Sequence, residues 1–94
     1  MSRKILANDM EQFLIENDLN EVYGTDVNKR TANGKTFYSV IFCKARATDG
    51  EVRIYSPNFI QVRWQTQVRR LPHQGSIIAK SVTEAKDFIK NNFA

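Results

Sequence analysis

The sequence predicts an α+β fold: a four-stranded antiparallel β-meander flanked by an N-terminal and a C-terminal helix, in the order α-β-β-β-β-α, with a short fifth edge strand available before the last helix. Three observations lead there. Both ends of the chain place helix-capping residues near apolar positions spaced by three and four. The middle is rich in β-branched and aromatic residues. Asn33-Gly34 and Asp49-Gly50 each match a two-residue hairpin turn, whose central positions need positive φ.

The first helix is expected near residues 8–18. Asn8 and Glu11 have capping spacing, and Met10, Phe13, Leu14 and Asn17 fall on one stripe. Ser2 offers an earlier start that would add Ile5 and Leu6 to the apolar face. At the other end Ser81-Val82-Thr83-Glu84 reads as a capping box, followed by Val82, Ala85, Phe88, Ile89 and Phe93 at helical spacing. Strands are expected at about 21–31, 36–46, 51–56 and 59–68. Ser56-Pro57-Asn58 would make the third turn and Pro72-His73-Gln74-Gly75 would end the fourth strand. Residues 76–79 supply the short edge strand. No internal repeat, low-complexity tract or linker interrupts the chain, and its 94 residues suit a single small domain.

Turn positions set a register, and the register decides which side chains share a face. A turn at Asp49-Gly50 opposes Thr48 to Glu51, Arg46 to Arg53 and Lys44 to Tyr55, which puts all six on one face. A turn at Asn33-Gly34 opposes Lys29 to Tyr38, Val27 to Val40, Thr25 to Phe42 and Tyr23 to Lys44. With period-two alternation this predicts an apolar face of Ile41, Cys43, Ala45, Val52, Ile54, Ile60, Val62 and Trp64, against which the helices pack. The opposite face gathers Tyr23, Tyr38, Tyr55, Lys44, Arg46, Arg53, Arg63, Gln61 and Gln65.

Charge is segregated along the chain. Positions 29–80 hold ten of the fourteen basic residues against only Asp49 and Glu51, a net of +8, while the remaining positions net −4. From Val52 to Thr83 there is no acidic residue at all. Such a distribution favours an anionic partner. A face with tyrosines for unstacked bases, fixed positive charge for phosphates and amides for base edges has the chemistry of single-stranded nucleic-acid binding. The expected contacts are Lys44, Arg46, Arg53 and Arg63, with stacking on Tyr38 and Tyr55. Arg69 and Arg70, in the loop before Pro72, form a second basic point. The plainer reading is that a one-sided sheet shows Tyr, Arg, Lys and Gln to water, so the rival class is a protein-interaction module. Such a module would be a regulator or inhibitor that docks on an acidic protein surface, or one that self-associates as a homodimer.

Catalysis is not expected. His73 is the only histidine and has no obvious nucleophile beside it, and the one acidic pair near the basic region, Asp49 and Glu51, is claimed by a turn signal. No Cys/His spacing suits a metal, and no cofactor motif is present. Cys43, the single cysteine, reads as a packing residue and excludes an intrachain disulfide, which fits the cytoplasm. The N-terminal stretch has no apolar run long enough for a signal peptide or a membrane span. Helix, strands and a closing helix reading Ser-Val-Thr-Glu-Ala-Lys resemble double-stranded RNA-binding domains in outline. Those domains carry a lysine cluster at the start of the last helix and a loop histidine between their first strands. Glu84 and the loop Thr31-Ala32-Asn33-Gly34 stand in those places, so no family is assigned.

Overall fold

The structure, a computed structural model, describes residues 2–21, 24–44 and 47–94. It consists of α1 (Arg3–Glu16), β1 (Val27–Ala32), β2 (Lys35–Lys44), β3 (Thr48–Ser56), β4 (Phe59–Thr66), β5 (Gln74–Ala79) and α2 (Val82–Asn92). The strands form one antiparallel sheet in the order β1-β2-β3-β4-β5. The α+β meander with flanking helices is therefore present, and the fifth strand is a full six-residue edge that begins at Gln74.

Helix α1 takes the earlier of its two starts. The Ser2 hydroxyl accepts the Ile5 N–H, and the added turn buries Leu6 and Ala7 beside Met10 and Leu14. Its end is set by Asn17, whose side-chain amide donates to the Phe13 carbonyl (2.8 Å), and by Asp18 at φ 58°. Helix α2 begins as its capping residues require. The Ser81 hydroxyl accepts the Glu84 N–H (3.0 Å), and the Glu84 carboxylate reaches back to the Lys80 N–H (3.1 Å).

Both helices lie on one side of the sheet, α1 against β2 and β3, α2 against β4 and β5. The core between them is built from Leu6, Met10 and Leu14 of α1, Val40 and Phe42 of β2, Val52 and Ile54 of β3, Ile60, Val62 and Trp64 of β4, and Ala85, Ile89 and Phe93 near the C-terminus. The faces expected for the third and fourth strands are correct. The face of β2 is reversed.

The reversal comes from the β2–β3 connection. Asn33-Gly34 is the expected tight turn, with φ 53° and 77°, and it fixes the Lys29–Tyr38 and Val27–Val40 pairs. Asp49-Gly50, in contrast, lies inside β3. Lys44 faces Thr48 rather than Tyr55, Ser39 faces Arg53, and Val40 faces Val52. The register is displaced by seven residues, and an odd displacement turns every β2 side chain to the other side. Gly50 is there because the Phe42 ring occupies the space beside it, so a Cβ would collide with three of the ring carbons. Gly75 plays the same part under Trp64. Among the described residues no helix is long and apolar enough to cross a membrane.

Candidate interaction face

Among the described residues no helix lies over the side of the sheet away from α1 and α2, and the residues of that side are read directly from the register. One cross-strand row is Glu51, Arg63 and Ser76; the next is Ser39, Arg53, Gln61 and Ile78; a third is Asp49, Gln65 and Gln74. Between β3 and β5 these form a broad open depression of about 550 Å³ walled by Asp49, Glu51, Arg63, Gln65, Gln74 and Ser76.

Glu51 organises the middle of this face. Its Oε1 bonds Arg53 Nε at 2.7 Å and lies 3.5 Å from Arg63 Nη1, and its Oε2 accepts the Ser39 hydroxyl at 2.5 Å. Partial burial pushes the carboxyl up, but the Ser39 and Arg53 hydrogen bonds and the charges of both arginines outweigh it, and the pKa lies below the ordinary glutamate value. For Arg53, partial burial works against the charge, but hydrogen bonding and opposite charge from Glu51 and Tyr55 raise its pKa further. The two arginines that sequence reading assigned to phosphate are thus already shared by one carboxylate.

Beyond Glu51 the face becomes aromatic. The Arg53 guanidinium sits 4.6 Å from the centre of the Phe37 ring, Phe37 meets Tyr55 at 5.0 Å, and Tyr55 meets Phe59 edge-on at 5.5 Å. Phe37 is buried beneath its neighbours, while Phe59 is exposed at the β3–β4 turn. This arginine–aromatic cluster and the depression occupy opposite ends of the uncovered face.

The residues predicted to bind nucleic acid do not form one surface. Arg53, Arg63 and Tyr55 share the uncovered side with Gln61 and Gln65. Tyr38 and Lys44 belong to the helix side of β2, a correction that follows from the reversed register. Tyr38 packs against the core there, with the Arg3 guanidinium 5.9 Å from its ring centre. Arg46, and with it Tyr23 and Ala45, lies outside the described residues. Arg69 and Arg70 sit in the β4–β5 loop, where Arg70 Nη2 donates to the Asn91 carbonyl (2.7 Å) at the end of α2. Glu51 lies on the face where the expected turn put it, beside Arg53 and Tyr55, although it was not among the expected contacts; Asp49, Gln74 and Ser76 were missed as face residues. For Asp49 the signal was present: positions 49, 51, 53 and 55 alternate onto one side whatever the register.

The Trp64 indole N–H donates to the Pro72 carbonyl (3.1 Å), and the ring packs on Phe88. Cys43 is buried in β2, and the exposed His73 accepts the Thr66 N–H through its backbone carbonyl (2.8 Å). Among the described residues no three His, Cys, Asp or Glu side chains come together as metal ligands. No protein-family model matches the chain, and neither a curated protein nor a solved structure is detectably similar to it.

Proposed function

We propose that this chain is a non-enzymatic binding protein, a regulator or inhibitor in type, that docks another protein on the uncovered face of its sheet. The observation that supports this over nucleic-acid binding is the sharing of Arg53 and Arg63 by Glu51. A phosphate arriving over either arginine would meet Glu51 and the exposed Asp49, and displacing the carboxylate would leave a half-buried charge without its partners. A protein surface can satisfy both signs. The partner that fits brings an apolar or aromatic side chain to Tyr55 and Phe59, and amide or basic groups to Asp49 and Gln65. Arginine and aromatic residues are also the types that dominate interface energetics. The buried Cys43 and the absence of any other cysteine accord with the cytoplasm as its setting.

Nucleic-acid binding, the other reading, retains one supporting observation: Lys44 at the end of β2 and Arg69 and Arg70 after β4 lie toward the same end of the sheet. Two measurements separate the readings. Titration with single-stranded DNA, single-stranded RNA and duplex at physiological salt is expected to show no saturable binding. A photo-crosslinking residue at Gln61 is expected to give one discrete protein adduct in cells, lost when Tyr55→Ala is added. The same residue placed at Gln12 of α1 should give none, and the purified adduct partner should bind the parent chain in simple stoichiometry. Saturable nucleic-acid binding weakened by Arg53→Ala or Arg63→Ala would overturn the protein-docking reading, as would equal adducts from Gln12.

A further inference from the structure

The geometry points to β5 as a dimerisation edge, across which two copies of the chain join into one continuous ten-stranded sheet. This edge is distinct from the Tyr55–Phe59 end of the uncovered face, and its capacity to pair lies first in its backbone. Thr66 N–H donates to the His73 carbonyl, and the register continues through Trp64–Gly75, Val62–Ile77 and Ile60–Ala79. In an antiparallel ladder bonded pairs alternate, so Gly75, Ile77 and Ala79 spend their N–H and C=O groups on β4. Gln74, Ser76 and Ile78 therefore direct theirs outward from the sheet. The next outward donor, Lys80 N–H, is taken by the Glu84 carboxylate. Among the described residues the ladder positions before it have no such cap.

Exposed edges are ordinarily protected by charge, proline or a bulge. β1, the other edge, carries Lys29 and Arg30. β5 reads Gln-Gly-Ser-Ile-Ile-Ala, with neither a charge nor a proline, and pairs with β4 without a register shift. Apolar side chains flank it on both sides of the sheet. Ile78 is 47% exposed on the uncovered side, and Ile77 and Phe88 are only partly buried on the helix side. An edge open in backbone and side chain alike is what a further strand would cover.

The occupant that fits is a second β5. A two-fold axis through Ser76, perpendicular to the sheet, pairs Ser76 with its own copy and Gln74 with Ile78, all outward-directed positions, and keeps the helices of both copies on the same side. At a two-fold axis like charges meet, and this strand has none. Antiparallel pairing also brings opposite ends of the two strands together. The end followed by Glu84 and Asp87, with Lys80 beside it and Lys86 held by Asp9 at 2.6 Å, comes toward the partner copy's end that follows Arg69 and Arg70. The depression on the uncovered face reaches Gln74 and Ser76, so the dimer would join two depressions across the axis.

The test is sedimentation of the full chain over a concentration series, with backbone amide hydrogen exchange on the same samples. The parent is expected to sediment at twice the chain mass, and the Ser76 and Ile78 amides to gain protection as concentration rises. Ser76→Pro removes an outward donor without touching the β4 ladder, and by symmetry it removes two interchain bonds. It should weaken association about ten- to a hundredfold. Ile78→Lys, which does not depend on backbone tolerance of proline, should also yield monomer. Asn28→Lys on the β1 edge should leave the dimer intact. A monomeric parent would overturn the inference, and so would a dimer that survives both β5 variants or whose Ser76 and Ile78 amides stay unprotected. Tyr55→Ala separates the two proposals, since it removes face contacts and leaves the edge unchanged.

Discussion

Glu51 couples stability to pH, and the sign follows from its partners. Its pKa is lower folded than unfolded because Ser39, Arg53 and Arg63 favour the carboxylate more than burial disfavours it. The folded state therefore binds fewer protons in acid. The contribution is complete above the ordinary glutamate value of about 4.3 and is lost as pH falls through the folded value. Glu51→Gln should cost about 1–2 kcal/mol at neutral pH, the worth of a charged hydrogen bond with a partly exposed partner. Denaturation at several pH values should show the gap between parent and variant closing on acidification; a gap of constant size would mean that Glu51 is not the titrating group. Gly50 tests a steric claim at the same scale. Replacing a strand glycine by alanine ordinarily stabilises through the unfolded chain. Here the Cβ would collide with the Phe42 ring, so Gly50→Ala should instead cost about 1–3 kcal/mol in chemical denaturation. A neutral or stabilising result would mean that Phe42 has room to move.

Elements differ in how plainly their residues declare them. Helix α2 was legible because its cap, its apolar spacing and its end agree, and Ser81→Ala should cost about 1 kcal/mol of global stability. Ser2→Ala should instead fray the first turn, since Ile5 there is more than half exposed. Amide exchange at Ile5 and Leu6 would report that loss while the denaturation midpoint hardly moves; a midpoint shift as large as that of Ser81→Ala would show that the first turn of α1 belongs to the cooperative core. The strand pattern was readable too, and Ile60, Val62 and Trp64 sit where alternation put them. What failed was one connection. Asn-Gly and Asp-Gly are the same turn signal, yet Asn33-Gly34 uses glycine for positive φ and Gly50 uses it to admit a ring from the neighbouring strand. Nothing local separates these two uses, because the second depends on Phe42 being opposite, which is the register itself. The candidate site inherited that error: Tyr38 and Lys44 left the face, and Glu51 became its centre.

At the scale of the molecule, segregation of charge along the chain does not become a one-signed surface. The basic stretch folds so that Lys29 and Arg30 lie on the β1 edge, Arg69 and Arg70 beyond β4, and Arg53 and Arg63 on the uncovered face around Glu51. A test of this compensation needs two variants of equal net charge that differ only in where the charge is lost. Glu51→Gln and Glu84→Gln each raise the formal net charge by one from +4. Glu84→Gln keeps a side chain that can still accept the Lys80 N–H, and it frees no arginine. Glu51→Gln removes the carboxylate that lies 2.7 Å from Arg53 and 3.5 Å from Arg63, leaving two guanidinium groups on an open surface. A polyanion should therefore discriminate between them. On immobilised heparin the parent and Glu84→Gln should elute at nearly the same salt, and Glu51→Gln distinctly later. Each additional phosphate contact should steepen the salt dependence of single-strand binding by roughly 0.7. Co-elution of the two variants, with circular dichroism showing both folded, would mean that Glu51 does not hold the arginines back from anions. The basic reading of the face would then regain its footing.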